Sequence, residues 1–157
     1  MACIVVVGPA TSGKTTTCFE LSGVTGPLAV TYCAHYIATE VNGVEWHIWD
    51  TPSISDTDWA AEAVLTEADV VVVCYDGRAG EGPLPIVRRC GANRCVIALT
   101  RGAVSYVSCA VQYLRETRHD GTLVPVALLG VELIDAISSV IRRARPEDSR
   151  GFYELAL

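Results

Sequence analysis

The sequence predicts an α/β fold, a mostly parallel sheet with helices on both faces and one antiparallel strand, and three observations carry that reading. Apolar strand-like runs alternate with helix-forming segments along the chain. The run Val70-Val71-Val72-Val73-Cys74-Tyr75 is apolar and rich in β-branched residues without a break, as a central strand buried on both faces must be. The stretch Gly8-Pro9-Ala10-Thr11-Ser12-Gly13-Lys14-Thr15 matches the P-loop pattern G-x-x-x-x-G-K-[ST], directly after the strand-like run Cys3 to Val7 and directly before a helix-forming segment.

Taken in order, the first strand ends at Gly8 and a helix begins at Lys14, broken by Ser22-Gly23-Val24-Thr25-Gly26-Pro27. From there to about Tyr36 the chain has no period and reads as a loop. Ile37, Thr39 and Val41 then alternate with Ala38 and Glu40, Asn42-Gly43 is the preferred two-residue hairpin turn, and Val44 to Asp50 is the return strand. Thr51 to Thr57 is a polar loop, and Asp58 to Glu67 are good helix formers with acid at the N-terminal end. After the Val70 strand come a loop from Gly77 to Pro83, a short helix over Leu84 to Cys90 and a strand over Arg94 to Thr100. A helix from about Ser105 to Arg118 and a strand from Leu123 to Leu129 follow. The closing helix places Leu133, Ile134, Ile137, Val140 and Ile141 on one face. The polar Pro146 to Arg150 stretch sets off a tail, giving one domain over 1–145 and a tail over 146–157.

The P-loop residues point to phosphate chemistry. The first free amides of the Lys14 helix face the loop, and Gly8 and Gly13 let the backbone wrap closely around an anion. Ala10, Thr11, Ser12 and Thr16 complete the phosphate cradle, Lys14 brings a positive charge to the outer phosphates, and the Thr15 hydroxyl is a candidate Mg²⁺ ligand. Lys14 is the only lysine among 12 basic residues, the others being arginine. A chain this biased toward arginine keeps lysine where a fork-shaped guanidinium would not fit. Asp50 closes the apolar strand Trp46-His47-Ile48-Trp49-Asp50, a Walker B arrangement that holds Mg²⁺ through water.

With 157 residues, half of them hydrophobic, and a net charge of −6, the chain has no basic field for nucleic acid, and none is expected as a partner. Arg142, Arg143 and Arg145 fall near the end of the last helix, where cations complement the dipole. The 7 cysteines contain no C-x-x-C pair and mostly sit in apolar runs. They read as reduced core thiols, and Cys90 with Cys95 makes a poor zinc set without histidine partners. The longest apolar runs are too short to cross a bilayer, Ala2 stands where myristoylation requires glycine, and no cysteine ends the chain. The expectation is a cytoplasmic protein without a direct membrane anchor.

The order of elements, with GPATSGKT at 8–15, IWDTP at 48–52, ADVVVVCYD at 68–76 and TRGA at 100–103, resembles the Ras-like small GTPases, most closely the Rab type, over nearly the whole chain. The resemblance implies a six-stranded sheet and a switch that binds GTP or GDP with Mg²⁺, in which loops 23–36 and 51–58 are ordered by the γ-phosphate and read by a protein effector or regulator. It also implies that Thr31 completes the Mg²⁺ shell, with Thr39 the second candidate, and that the Ser53 amide meets the γ-phosphate. Thr100, Arg101 and Leu129 would lie at the base.

Departures from the family pattern bear on chemistry. Ile54 stands where the family's water-orienting glutamine would be, and its side chain forms no hydrogen bond, which implies slow hydrolysis. Asp56 and Asp58 are the acidic residues within reach of that position. Ala103 replaces the aspartate that pairs with guanine, removing acceptors for the N1 and N2 donors. Two alternatives stay open: a pseudo-GTPase kept for interaction, and a P-loop ATPase or kinase with another base preference.

Overall fold

The structure is a computed structural model that describes residues 1–8, 13–23, 35–51, 67–76, 83–100, 118–119 and 122–144. In chain order the elements are β1 (Ala2–Val7), α1 (Lys14–Ser22), β2 (His35–Val41), β3 (Val44–Asp50), β4 (Val70–Tyr75) and α2 (Leu84–Cys90). A short 3₁₀ turn (Ala92–Arg94), β5 (Cys95–Leu99), β6 (Arg118–His119), β7 (Thr122–Leu123), β8 (Val126–Leu128) and α3 (Val131–Ala144) follow.

Six strands form one sheet in the order β2-β3-β1-β4-β5-β8, and β6 pairs with β7 apart from it. Within the large sheet only β2 and β3 are antiparallel; β1 runs parallel to β3 and β4, and β5 parallel to β4 and β8. The parallel strands therefore end along one edge, and ligands of such sheets bind outside those carboxyl ends.

Alternation along β1 and β4 divides the core in two. Ile4, Val6, Val70 and Val72 face α1 and α3, meeting Cys18, Leu21, Leu133 and Ile137. Val5, Val7, Val71 and Val73 face the other way, against Val87 and Cys90 of α2. All eight strand residues are fully buried, and each such side chain contributes about 1.5–3 kcal/mol relative to exposure. Helices thus cover both faces, and the antiparallel pair of the large sheet is the Asn42-Gly43 hairpin, whose two turn residues both have positive φ, 51° and 81°, as this turn requires.

Several boundaries differ from the sequence reading. β2 starts at His35, inside the segment expected to be loop, because the ladder with β3 continues through Tyr36↔Trp49 and His35↔Asp50. The exposed Tyr36 ring also lies 5.1 Å from Trp49 and 5.2 Å from His47. Its hydroxyl hydrogen-bonds His47 Nδ1, and His47 Nε2 meets Glu45 Oε1 at 2.8 Å. The strand expected over 123–129 is split: Thr122 and Leu123 pair with β6, and only Val126–Leu128 joins the sheet. Pro125 stands at the break, where it has no N–H to donate, while its carbonyl accepts from Ile97 N at 2.9 Å.

Arg118, expected to end a helix, is in a strand, and Arg94 lies in the 3₁₀ turn rather than in β5. There its guanidinium donates to Cys90 O at 2.7 Å and Ala68 O at 3.1 Å. Glu67 is helical; the rest of the helix expected from Asp58, the 105–117 helix and the tail lie outside the described residues. The α3 periodicity holds, with Leu133, Ile137, Val140 and Ile141 buried and Arg142 and Arg143 in its last turn.

Candidate functional site

The site forms where β1 hands over to α1. Gly13 is in the left-handed region (φ 92°, ψ 23°) and caps the helix without a side-chain hydrogen bond. Glycine adopts that conformation without steric cost. Its carbonyl accepts twice from Thr17, from the backbone N at 2.9 Å and from Oγ1 at 2.8 Å. Thr17 Oγ1 in turn accepts from Cys74 Sγ at 3.4 Å, joining the start of α1 to β4.

Lys14, the first helical residue, is only 6% exposed. Burial lowers its pKa, opposed by Cys74 when ionised, by the Asp50 carboxylate and by Cys18 when ionised. Burial pushes the Cys74 thiol up to about 12, partly opposed by its hydrogen bond to Thr17. Burial, with Asp50 next, raises Cys18 further still. Both are inert neutral thiols beneath the helix start. Among the described residues Cys3, Cys18, Cys74, Cys90 and Cys95 are not in disulfides, consistent with reduced core thiols.

The parallel register pairs Val6 with Asp50 and so brings the end of β3 beside the end of β1. Asp50 is 3% exposed, and its Oδ2 accepts from Thr15 Oγ1 at 2.8 Å. The next residue, Thr51, donates from its backbone N and its hydroxyl to Val6 O, at 3.4 and 2.8 Å. That double tie fixes the chain where it leaves β3. At the end of β5, Thr100 donates from its backbone N to Tyr75 O at 2.9 Å, and its side chain lies against Gly13, where a Cβ would stand 3.0 Å from Thr100 Cβ.

Of the residues expected in the site, the structure thus brings together Gly8, Gly13, Lys14, Thr15, Thr16, Asp50 and Thr100 on the carboxyl edge of the sheet. Leu129 follows β8 on the same edge and is partly buried in the core. Ala10, Thr11, Ser12, Thr31, Ser53 and Arg101 lie outside the described residues, as do 24–34 and 52–58 of the two loops. Thr39 hydrogen-bonds Ser22 O at 3.5 Å from within β2. Thr17, Thr51 and Cys74 were not singled out by the sequence. For Thr17 the available signal was its place four residues after the P-loop's second glycine, from which a hydroxyl bonds back to the i−4 carbonyl.

Among the described residues no cluster of three or more His, Cys, Asp or Glu forms a metal site. The Thr15 hydroxyl with the Asp50 carboxylate is a different kind of set: two hard oxygen donors beside a lysine and a helix N-terminus. That chemistry fits Mg²⁺, which takes few protein oxygens and completes its shell with water and phosphate.

No protein-family model matches the chain, and no curated protein matches it in sequence. Solved structures do match its shape. A T. brucei IFT22/74/81 GTP-bound crystal structure superposes with a TM-score of 0.71 at 14% identity, over 96% of this chain and 98% of that one. The fold is that of a small GTPase. The GTPase fold recurs in the Arl6 BBS3 small GTPase from Trypanosoma brucei with bound GppNp, with a TM-score of 0.57 and 15% identity over 93% of this chain and 98% of that one. It recurs again in an S. thermophilus NFeoB mutant bound to GMPPNP, at 0.65 and 18% over 90% of this chain and 62% of that one. In this GTPase fold the edge that carries Gly13, Lys14, Thr15 and Asp50 is the carboxyl edge of the parallel strands.

Proposed function

We propose that this protein is a divergent, Rab-like small GTPase, a switch that binds GTP or GDP with Mg²⁺, hydrolyses slowly and presents loops 23–36 and 51–58 to a protein effector or regulator. The observation that carries the reading is the Thr15–Asp50 hydrogen bond at the N-terminus of α1, with Lys14 buried beside it. A phosphate seated there meets helix amides and an ammonium, and the lysine's desolvation is offset when the anion arrives. Mg²⁺, when bound, neutralises charge on the outer phosphates; Thr15 would ligate it and Asp50 would orient its water. Thr31 and Ser53 are assigned to the metal shell and the γ-phosphate on family resemblance alone.

Support for the guanine nucleotide comes from the three fold neighbours, one described as GTP-bound and two as holding GppNp or GMPPNP. On family resemblance the base lies beyond β5 and β8, near Leu129 and near Thr100, which packs on Gly13, and Arg101 is assigned to stack on it. Residues 1–145 form the nucleotide-binding domain and 146–157 a tail. No described helix is long and apolar enough to cross a membrane, and the free thiols suit the reducing cytoplasm.

The pseudo-GTPase reading draws on Ile54 and Ala103. One experiment separates the readings: denaturing the purified protein and identifying released nucleotide by chromatography, then titrating the stripped protein with GTP, GDP and ATP by calorimetry with Mg²⁺. Release of GDP or GTP, with GTP binding, is expected. Adenine nucleotide alone, or no binding of any nucleotide, overturns the proposal.

A further inference from the structure

At the opposite end of β5 from Thr100, two thiols face one another. Cys90 is the last residue of α2 and Cys95 the first of β5, and the four residues between them make a tight turn: Gly91 with φ 95°, then the 3₁₀ turn Ala92–Arg94. Their side chains are hydrogen-bonded to each other, and both are reduced. Arg94 clamps the turn through Cys90 O and Ala68 O, which anchors the segment that joins the two cysteines.

We propose that Cys90 and Cys95 form a peroxide-reactive dithiol, a modification site in which Cys90 is the attacking thiolate and Cys95 the resolving thiol.

The roles follow from position. Cys95 is fully buried in the sheet, whereas Cys90, 5% exposed, sits where the chain surfaces between exposed Arg89 and half-exposed Gly91. The hydrogen bond from Cys95, then the Arg94 and Arg89 charges, lower the Cys90 pKa against the opposing effect of burial. Cys95 is shifted upward by the same hydrogen bond, with burial next, and keeps its proton. A thiolate beside cations, with a neutral thiol in contact, is the arrangement that reacts with hydroperoxides.

The chemistry balances with a hydroperoxide as oxidant. Cys90 sulfur attacks the peroxide oxygen, the S–O bond forms as O–O breaks, and the departing alkoxide or hydroxide takes a proton from water, leaving sulfenic acid. Cys95 sulfur then attacks Cys90 sulfur; S–S forms, S–O breaks, and the hydroxyl leaves as water with the Cys95 proton. Hydrogen-bonded sulfurs need only a small approach to reach disulfide geometry.

Trypsin gives a direct readout, because Arg89, Arg94 and Arg101 bracket the site. Cleavage yields peptides 90–94 and 95–101, joined only if the disulfide has formed. The full chain treated with stoichiometric hydrogen peroxide, alkylated and digested should give the linked pair, lighter by two hydrogens than the separate thiols and reversed by reductant. Cys18 and Cys74 should remain reduced. Cys95→Ala should stop the reaction at sulfenic acid on Cys90, trapped by dimedone, and should slow Cys90 alkylation at neutral pH by roughly tenfold, the change in thiolate fraction that one pKa unit brings. In the native chain, Cys90 alkylation should have its midpoint below that of a free thiol. Linked peptides with that pH profile establish the site even if the variant does not fold. Oxidation of other cysteines before Cys90, or Cys90 sulfenic acid that persists in the native chain without linkage, overturns the proposal.

Discussion

Thr15 and Asp50, 35 residues apart in sequence, meet through a 2.8 Å hydrogen bond from the threonine hydroxyl to the aspartate Oδ2. The contact requires the parallel β1–β3 register that sets Val6 beside Asp50. If its role is to organise a cation, Asp50→Ala weakens GTP binding in Mg²⁺ on the order of 10–100-fold, the usual loss for a residue that orients a metal's ligands. In a chelator the same variant should differ little from the native chain. Calorimetry under both conditions decides: equal losses would make Asp50 a fold-supporting carboxylate.

Lys14 opposes stability at the position proposed to serve binding. Burial lowers its pKa in the folded chain, so folding penalises the charged form. The penalty is complete below the folded-state pKa and disappears as pH rises from there through the ordinary lysine value of about 10.4. Lys14→Met should therefore be more stable than the native chain to urea at pH 7, without nucleotide, and that advantage should shrink in alkaline buffer. GTP affinity should fall in the same variant. A less stable variant at neutral pH would show that the lysine's contacts outweigh its desolvation.

Base selectivity is tested at Ala103. Ala103→Asp should raise the preference for GTP over ATP, because a carboxylate there restores acceptors for guanine's donors, worth about 1–3 kcal/mol. Competition binding measures the ratio. A native chain that already selects guanine sharply would place base reading on other groups.

α3 shows what the sequence exposes most clearly. Ile137 is fully buried, Ile134 half-buried and Asp135 exposed, as the helical period requires. Ile137→Ala should cost about 2–5 kcal/mol by chemical denaturation, Ile134→Ala less, and Asp135→Ala little. Similar losses at all three positions would contradict the packing of α3 on the sheet.

The parts of the fold legible in advance were those fixed by local pattern: the valine run of β4, the Asn42-Gly43 turn, the α3 stripe and the P-loop between strand and helix. What escaped depended on distant partners. His35 and Tyr36 are strand residues because β3 offers a ladder, and nothing in their own alternation says so. Arg94 left β5 because its guanidinium binds two carbonyls across the turn. Thr17 ties α1 to β4 through Cys74, 57 residues away. The break at Pro125 was readable from chemistry, since proline cannot donate to a ladder. At the site, motif spacing located Lys14, Thr15 and Asp50, while the packing of Thr100 on Gly13 needed the sheet order.

That last contact gives a test with internal controls. A methyl group on Gly13 would stand 3.0 Å from Thr100 Cβ, 3.1 Å from Oγ1 and 3.2 Å from Cγ2. Thr100 cannot easily retreat, since it is 2% exposed and its backbone is tied to Tyr75 O. Gly13→Ala therefore carries two penalties, overpacking of about 1–3 kcal/mol and the left-handed backbone at about 1–2 kcal/mol for a residue with a Cβ. Only the first depends on Thr100. In a double-mutant cycle, Thr100→Gly should recover the overpacking part and leave the backbone part. Thr100→Ala should recover less, because its Cβ keeps the closest of the three contacts. Urea denaturation of the variants reads the coupling directly. If both second-site changes prove additive with Gly13→Ala, the two residues do not press on one another, and the P-loop is held against the sheet without that packing.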